Sequence, residues 1–433
     1  MLFKNIMVLD ENLMAQEKMF VGTKGEKIEF IGSGQPTENF GEVYDGTGKL
    51  LMPGFFNAHA HSPMTLMRGY GENLFLQNWL FDKIFPFEDK LTSEAVYYAT
   101  MLAMAESFRF GIVSTSDMYY FCEDMVKAIA ESKAKTNISR SLTCFPGDDP
   151  KVSKGYREAV ALAEGYHNAE EGRIKIDMSV HAEYTNTEES IALVSDYAIK
   201  KGLNMHFHIS ETRTEHEECK QRHNGMTPTQ LFNHYGAFDT RATAAHSIWI
   251  EEADMDIFAE KKVTVASCPV SNLKIASGIC NVPELLRRGI NVAIGTDSVA
   301  SNNSLNYIEE MKFFALINKE RRGDPTLITP RETIYAGTKA GAISQGRDDC
   351  GAIKVGNKAD LIVIDLNVPN MRPVFDMANN IVYSASGSDV LLTMIDGKVV
   401  YNNGEYLTID IEKTIYETEK NVKQIIEKLK TTE

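Results

Sequence analysis

His59 and His61 close the run Pro53-Gly54-Phe55-Phe56-Asn57-Ala58, which follows the apolar Leu50-Leu51-Met52. Residues i and i+2 of a strand point the same way, so an H-x-H at a strand end aims two imidazoles at one spot. Two neutral imidazoles make half of a zinc site. The pair alone is equally at home in a core, so the case depends on further donors. His208 ends the apolar run 204–207, and Asp297 follows 290–295 in Gly295-Thr296-Asp297-Ser298. Singly, these read as a core histidine and a turn or helix cap. Together with the H-x-H they give three imidazoles and a carboxylate, a set suited to one divalent ion, Zn2+ first, with Fe2+ or Mn2+ as alternatives. Such an ion lowers the pKa of a water at an open position towards ~7.

The elements that must position these residues alternate. Apolar, β-rich runs at 112–115, 174–180, 204–208, 242–246, 263–267 and 290–295 are separated by helical patterns such as 93–110, 159–164 and 190–201. Strands alternating with helices mean a parallel sheet, and this many units predict a (β/α)8 TIM-type barrel over 53–347. Active sites of such barrels gather at the C-terminal strand ends. Ionisable residues fall there repeatedly: His59 and His61 after the first run, then His181, His208, His246 and Asp297. Residues 1–52 and 348–433 each hold short β-rich pieces, too small to bury a core alone. They are expected to pair into one small β-sandwich domain built from both chain ends, with a surface helix over 411–430.

The 433 residues are 43% hydrophobic and 24% charged, the composition of a soluble globular protein. A formal net charge of −15 argues against broad nucleic-acid or anionic-membrane binding. None of the six cysteines lies in a C-x-x-C pair, so they read as reduced thiols, not a zinc ribbon. The N-terminus turns polar too early for a signal peptide, and no apolar run approaches a membrane span, so a cytoplasmic location is expected. His181-Ala182-Glu183 fits the H-x-E of the cytidine-deaminase class, but no P-C-x-x-C follows, which excludes that class.

The motifs P-G-F-F-N-A-H-A-H-S-P-M-T-L-M-R-G, H-I-S-E-T around His208, C-P-V-S-N-L-K at 268–274, G-T-D-S-V-A-S-N-N-S-L-N at 295–306 and G-A-I-K-V-G-N-K-A-D-L-I-V-I-D at 351–365 span nearly the whole chain. By these the chain resembles the amidohydrolase superfamily in its aminohydrolase branch of deaminases and triazine hydrolases. It is most similar there to the deaminases of 5-methylthioadenosine and S-adenosylhomocysteine. The resemblance implies metal-dependent hydrolytic deamination of a small-molecule nucleoside with a 5′-thio substituent, with release of ammonia. Related rings are the alternative: 5′-deoxyadenosine, adenosine, guanine, cytosine, a pterin or a triazine. It also implies one metal, since His181 stands where two-metal relatives carry a bridging Lys, and a homo-oligomer. A metal-free binding barrel and an amide-bond hydrolase are the other classes to weigh against it; the first predicts lost ligands, and all four are present.

The same resemblance implies roles. Glu211 would carry a proton to the purine ring nitrogen, His246 would polarise the attacking water, and Asp297 would be both ligand and base. Glu88 would accept hydrogen bonds from both ribose hydroxyls, a diol that suits a carboxylate's two oxygens. Arg140 matches an arginine that reaches the carboxylate of a homocysteine tail, and Arg157 is the counterpart expected for a second. His181 would contact the purine. Glu183 stands in His181-Ala182-Glu183-Tyr184 where close relatives show H-S-P-Y, and could either alter ring recognition or face solvent.

Overall fold

In the computed structural model, which describes residues 1–431, a parallel barrel surrounds the predicted site. Its eight strand positions are Phe55–Ala60, Ile112–Tyr119, Lys135–Arg140, a fourth broken into Ile174–Ile176 and Met178–Ser179, then Met205–Ile209, Ala242–His246, Thr264–Ser267 and Val292–Ile294. Parallel bridges Ala60–Asp297 and Leu142–Val180 join the two runs of strands into a ring. Nearly every strand residue is buried, as expected where helices cover the outside and side chains fill the inside.

The sequence predicts one unbroken fourth strand over 174–180, but the structure interrupts it at Asp177. The Asp177 carboxylate accepts two hydrogen bonds from Asn137 Nδ2 at 3.0 Å, and burial raises its pKa to about 6. The Asp177 amide still donates to the Ile138 carbonyl at 3.0 Å, and from Met178 onward the strand pairs with Met205–Ile209 instead. Predicted helices run a few residues longer than their patterns, as Lys154–Tyr166 and Glu188–Lys201, because caps extend them. Thr187 and Ser190 form a reciprocal capping box at the start of Glu188–Lys201.

The two chain ends meet where Lys49–Pro53 pairs antiparallel with Leu361–Asp365, inside a nine-stranded sheet. That sheet folds over its own core of Phe3, Ile6, Val21, Leu51, Leu361, Val363 and Met394, sandwich fashion, with Lys27 bridging to Lys358. Ionic contacts tie it to the barrel. Lys135, at the start of the third barrel strand, reaches Asp360 Oδ2 at 2.5 Å and Asp396 Oδ1 at 2.7 Å, and is 2% exposed. Burial opposes its charge, but the two carboxylates with Cys350 hold its pKa above the ordinary lysine value. The helix Ile411–Lys430 packs on Ser93–Arg109. Among the described residues no helix is long and apolar enough to cross a membrane.

Candidate metal centre and active site

The four predicted donors converge. Ligand atoms of His59, His61 and His208 lie within 4.8 Å of one another, as do those of His59, His246 and Asp297. Asp297 Oδ1 is 3.3 Å from His61 Nε2 and 3.6 Å from His59 Nε2, and His208 Nε2 is 3.4 Å from His61 Nε2. His59 lies within its strand, with His61 one residue beyond it.

Each imidazole is fixed through its other nitrogen. His61 Nδ1 meets the Met118 carbonyl at 2.8 Å, and His208 Nδ1 meets the His181 carbonyl at 2.8 Å. A carbonyl only accepts, so these contacts place the proton on Nδ1 and leave the Nε2 lone pairs facing the centre. His59 Nδ1 lies 3.0 Å from His206 Nε2, while His59 Nε2 is buried without a hydrogen-bond partner. An orphaned buried nitrogen at the centre of such a donor set fits a bound cation. Burial, with the neighbouring His61 and His246, lowers the His59 pKa to about 3, and burial together with His181 holds His208 well below the ordinary range. Both are therefore neutral ligand forms at neutral pH. Burial opposes ionisation of Asp297, yet the adjacent His59, His61 and His246 imidazoles hold its pKa well below the ordinary range.

The carboxylate is also locked from behind. Asp297 Oδ2 accepts from Ser271 Oγ at 2.5 Å and Ser301 Oγ at 3.1 Å, and Oδ1 accepts from the Ser298 amide at 2.7 Å. Asp297 and His246 adopt left-handed backbone (φ 60° and 68°), each costing of order ~1–3 kcal/mol that the surrounding bonds must hold in place. Gly295 permits the close approach of the eighth strand, since a Cβ there would lie 2.8 Å from the Cβ of His59.

Around this centre lies the cavity lined by His61, Glu88, His181, Glu211, His246 and Asp297, with Trp79, Tyr119 and Tyr184 supplying aromatic walls. Glu211 Oε2 sits 3.7 Å from His246 Nε2, and its Oε1 accepts from Ser277 Oγ at 3.2 Å. Burial raises the Glu211 pKa, the direction that suits a general acid. Burial likewise raises Glu88 to about 7, against the opposing pull of Tyr119, His61 and Arg140. His181 Nδ1 is 3.0 Å from Thr185 Oγ1.

Three predicted residues stand elsewhere. Arg140 lies outside this cavity, in an adjoining chamber that shares Phe85, Glu88 and Tyr120 with it. Arg157 lines a third hollow beside Phe121 and Cys122, and Lys154 occupies the place by Arg140 in the chamber. Glu183 neither lines the cavity nor faces solvent. It is 2% exposed and pairs with Arg222 (2.6 Å and 3.0 Å) and His223 Nε2 (2.9 Å).

Several supporting residues lie outside the set singled out from the sequence. His206 backs His59, and Asn272 Oδ1 accepts from His246 Nδ1 at 2.9 Å. Glu215 accepts from the amides of Ser210 and Glu211 at 2.9 and 2.8 Å, so it sets the turn that presents Glu211. Asn272 lies within the C-P-V-S-N-L-K motif, and an H-x-H at His206 and His208 could have flagged the second histidine.

A parallel barrel with this donor set at its C-terminal rim is the architecture of a metal-dependent hydrolase, and residues 50–400 match the amidohydrolase family. The chain belongs to that family. It is 37% identical to the 5-methylthioadenosine/S-adenosylhomocysteine deaminase of Dictyoglomus thermophilum, over 98% of this chain and 99% of that protein. It is also 37% identical to the 5′-deoxyadenosine deaminase of Methanosarcina acetivorans, over 92% of each. Among solved structures, an adenosine deaminase from Xanthomonas campestris with bound zinc superposes with TM-score 0.91 at 28% identity, covering 99% of this chain and 98% of that one. Atrazine chlorohydrolase from Arthrobacter aurescens shares the fold, with TM-score 0.89 over 97% of this chain and 99% of that one at 20% identity.

Proposed function

We propose that this protein is a metal-dependent deaminase of adenosine-type nucleosides carrying a 5′-thio substituent, 5′-methylthioadenosine and S-adenosylhomocysteine. The products are the inosine analogue and ammonia. The observation that carries this reading is the position of Glu88, a half-buried carboxyl lining both the metal cavity and the chamber beyond it. A purine over the donor cluster then sets its ribose hydroxyls on Glu88 and leaves the 5′ group facing the chamber. Bare bases gain nothing from Glu88. The identities to two deaminases of 5′-modified adenosines point the same way, although 5′-deoxyadenosine would leave the chamber of ≈450 Å³ unfilled.

His59, His61, His208 and Asp297 would hold one Zn2+, which supplies a water acidic enough to act as a nucleophile at neutral pH. His246 donates its Nδ1 proton to Asn272, so Nε2 is left as an acceptor that orients the attacking water. Asp297 takes the water's proton. Glu211, whose pKa burial raises, gives a proton to the ring nitrogen beside the carbon under attack. The water oxygen bonds to that carbon, the carbon–nitrogen bond of the exocyclic amine breaks, ammonia leaves with the proton that Asp297 held, and the proton left on the new oxygen passes to Glu211 as the carbonyl forms. The exposed rings of Phe75 and Phe81 near the cavity mouth are in keeping with a homo-oligomer.

The test is ammonia release by the zinc-loaded protein from methylthioadenosine, S-adenosylhomocysteine, 5′-deoxyadenosine, adenosine, adenine and guanine. The 5′-thio nucleosides are expected to give the highest kcat/KM. Turnover of bare bases without turnover of nucleosides would overturn the reading.

A further inference from the structure

The chamber next to the metal cavity has a charge pattern that the proposed activity alone does not explain. Arg140 and Lys154 line it together with Glu158 and Asp89, so cations do not outnumber anions there. A pocket for a simple anionic tail would carry an excess of cation. Glu158 stands between the two bases: its Oε2 accepts from Arg140 Nε at 2.8 Å, and its Oε1 is 3.6 Å from Lys154 Nζ. The Arg140 guanidinium lies over the Tyr120 ring, 4.8 Å from its centroid, and Nη1 is bonded to the Ser141 carbonyl. Among the described residues Nη2 has no hydrogen-bond partner, so one donor edge of the fork remains open for a carboxylate. Glu158 is 41% exposed at its side chain, and its carboxylate can accept from an ammonium.

Resting on the functional reading above, we propose that Glu158 is a specificity residue that receives the α-ammonium of a zwitterionic amino-acid tail while Arg140 receives its carboxylate. Glu158 also partly neutralises Arg140. A nucleoside tail bearing only a carboxylate must compete with Glu158 for that guanidinium, whereas a zwitterion brings a cation to replace the one it takes. The chamber thereby favours the amino-acid tail over an acid of equal length.

The experiment compares wild type, Glu158→Gln and Arg140→Ala, each metal-loaded, on three substrates: methylthioadenosine, S-adenosylhomocysteine and its analogue lacking the α-amino group. The ratios of kcat/KM decide. Wild type is expected to favour S-adenosylhomocysteine over the desamino acid by about tenfold or more, the size of one charge-assisted hydrogen bond. Glu158→Gln is expected to reverse or abolish that preference, and Arg140→Ala to lower both charged tails relative to methylthioadenosine. Equal losses of both charged tails in Glu158→Gln would overturn the proposal, because Glu158 would then only orient Arg140. So would unchanged ratios. If wild type fails to deaminate methylthioadenosine at all, the functional reading falls and this assignment with it.

Discussion

His59, His61, His208 and Asp297 were legible because metal chemistry restricts residue type, and because strand ends are where a barrel can bring distant residues together. Their supports were not. His206 and Asn272 act through contacts to His59 and His246 across 147 and 26 residues, so the H-x-H at 206–208 and the motif around Asn272 do not reveal which residues they back. Glu88 is the residue whose charge state has the clearest consequence. Its pKa of about 7 lies above the ordinary 4.5, so lowering the pH through 7 converts the carboxylate to the neutral acid. An anion that must accept from a diol binds worse once protonated. KM for the nucleoside is therefore expected to rise as pH falls below about 7, approaching roughly tenfold per unit well below it. Steady-state kinetics across that range should show the rise in wild type and its loss in Glu88→Gln. A wild-type KM that stays flat through pH 7 would remove Glu88 from the diol.

At the level of elements, the loop after the fourth strand is held from outside the cavity. Glu183 clamps it to the helix Arg213–Arg222 that follows Glu211, through Arg222 and His223, while its neighbours His181 and Tyr184 line the metal cavity. This is the physical content of the departure at His181-Ala182-Glu183-Tyr184: the carboxylate anchors the cavity-lining residues and does not itself line the cavity. Sequence could not settle its direction, because a short turn after a strand can send alternate side chains either way. Glu183→Ala is expected to cost about 1–3 kcal/mol in denaturant unfolding, since Arg222 and His223 lose their shared acceptor. Because the loop lines the cavity proposed to hold the purine, KM should rise several-fold on every nucleoside alike, with metal content unchanged. An effect confined to S-adenosylhomocysteine would instead place Glu183 at the tail. The broken fourth strand was likewise hidden, because Asp177 sits inside an apolar run and its partner Asn137 lies 40 residues away.

Across the whole molecule, the β-rich ends foretold that both termini build one sheet, and alternation foretold the barrel. The lock between them was not foretold. Lys135 belongs to a barrel strand, yet its charge is satisfied by Asp360 and Asp396 beside the small sheet. Removing it leaves the buried Asp360 and the half-buried Asp396 without their cation, so Lys135→Met is expected to lose on the order of 3–5 kcal/mol of stability. Denaturant unfolding followed by circular dichroism measures this. An unchanged midpoint would show that the apolar interface alone joins barrel and sheet. All of these elements serve one reaction, and oxygen tracing tests it most directly. Zinc-loaded protein is incubated with methylthioadenosine in water enriched in oxygen-18, and the products are weighed by mass spectrometry beside a chelator-stripped control. The expected result is an inosine analogue carrying one solvent oxygen, one ammonia per product, and no turnover in the stripped protein until zinc is restored. Free adenine, a product without solvent oxygen, or undiminished turnover after metal removal would contradict the account.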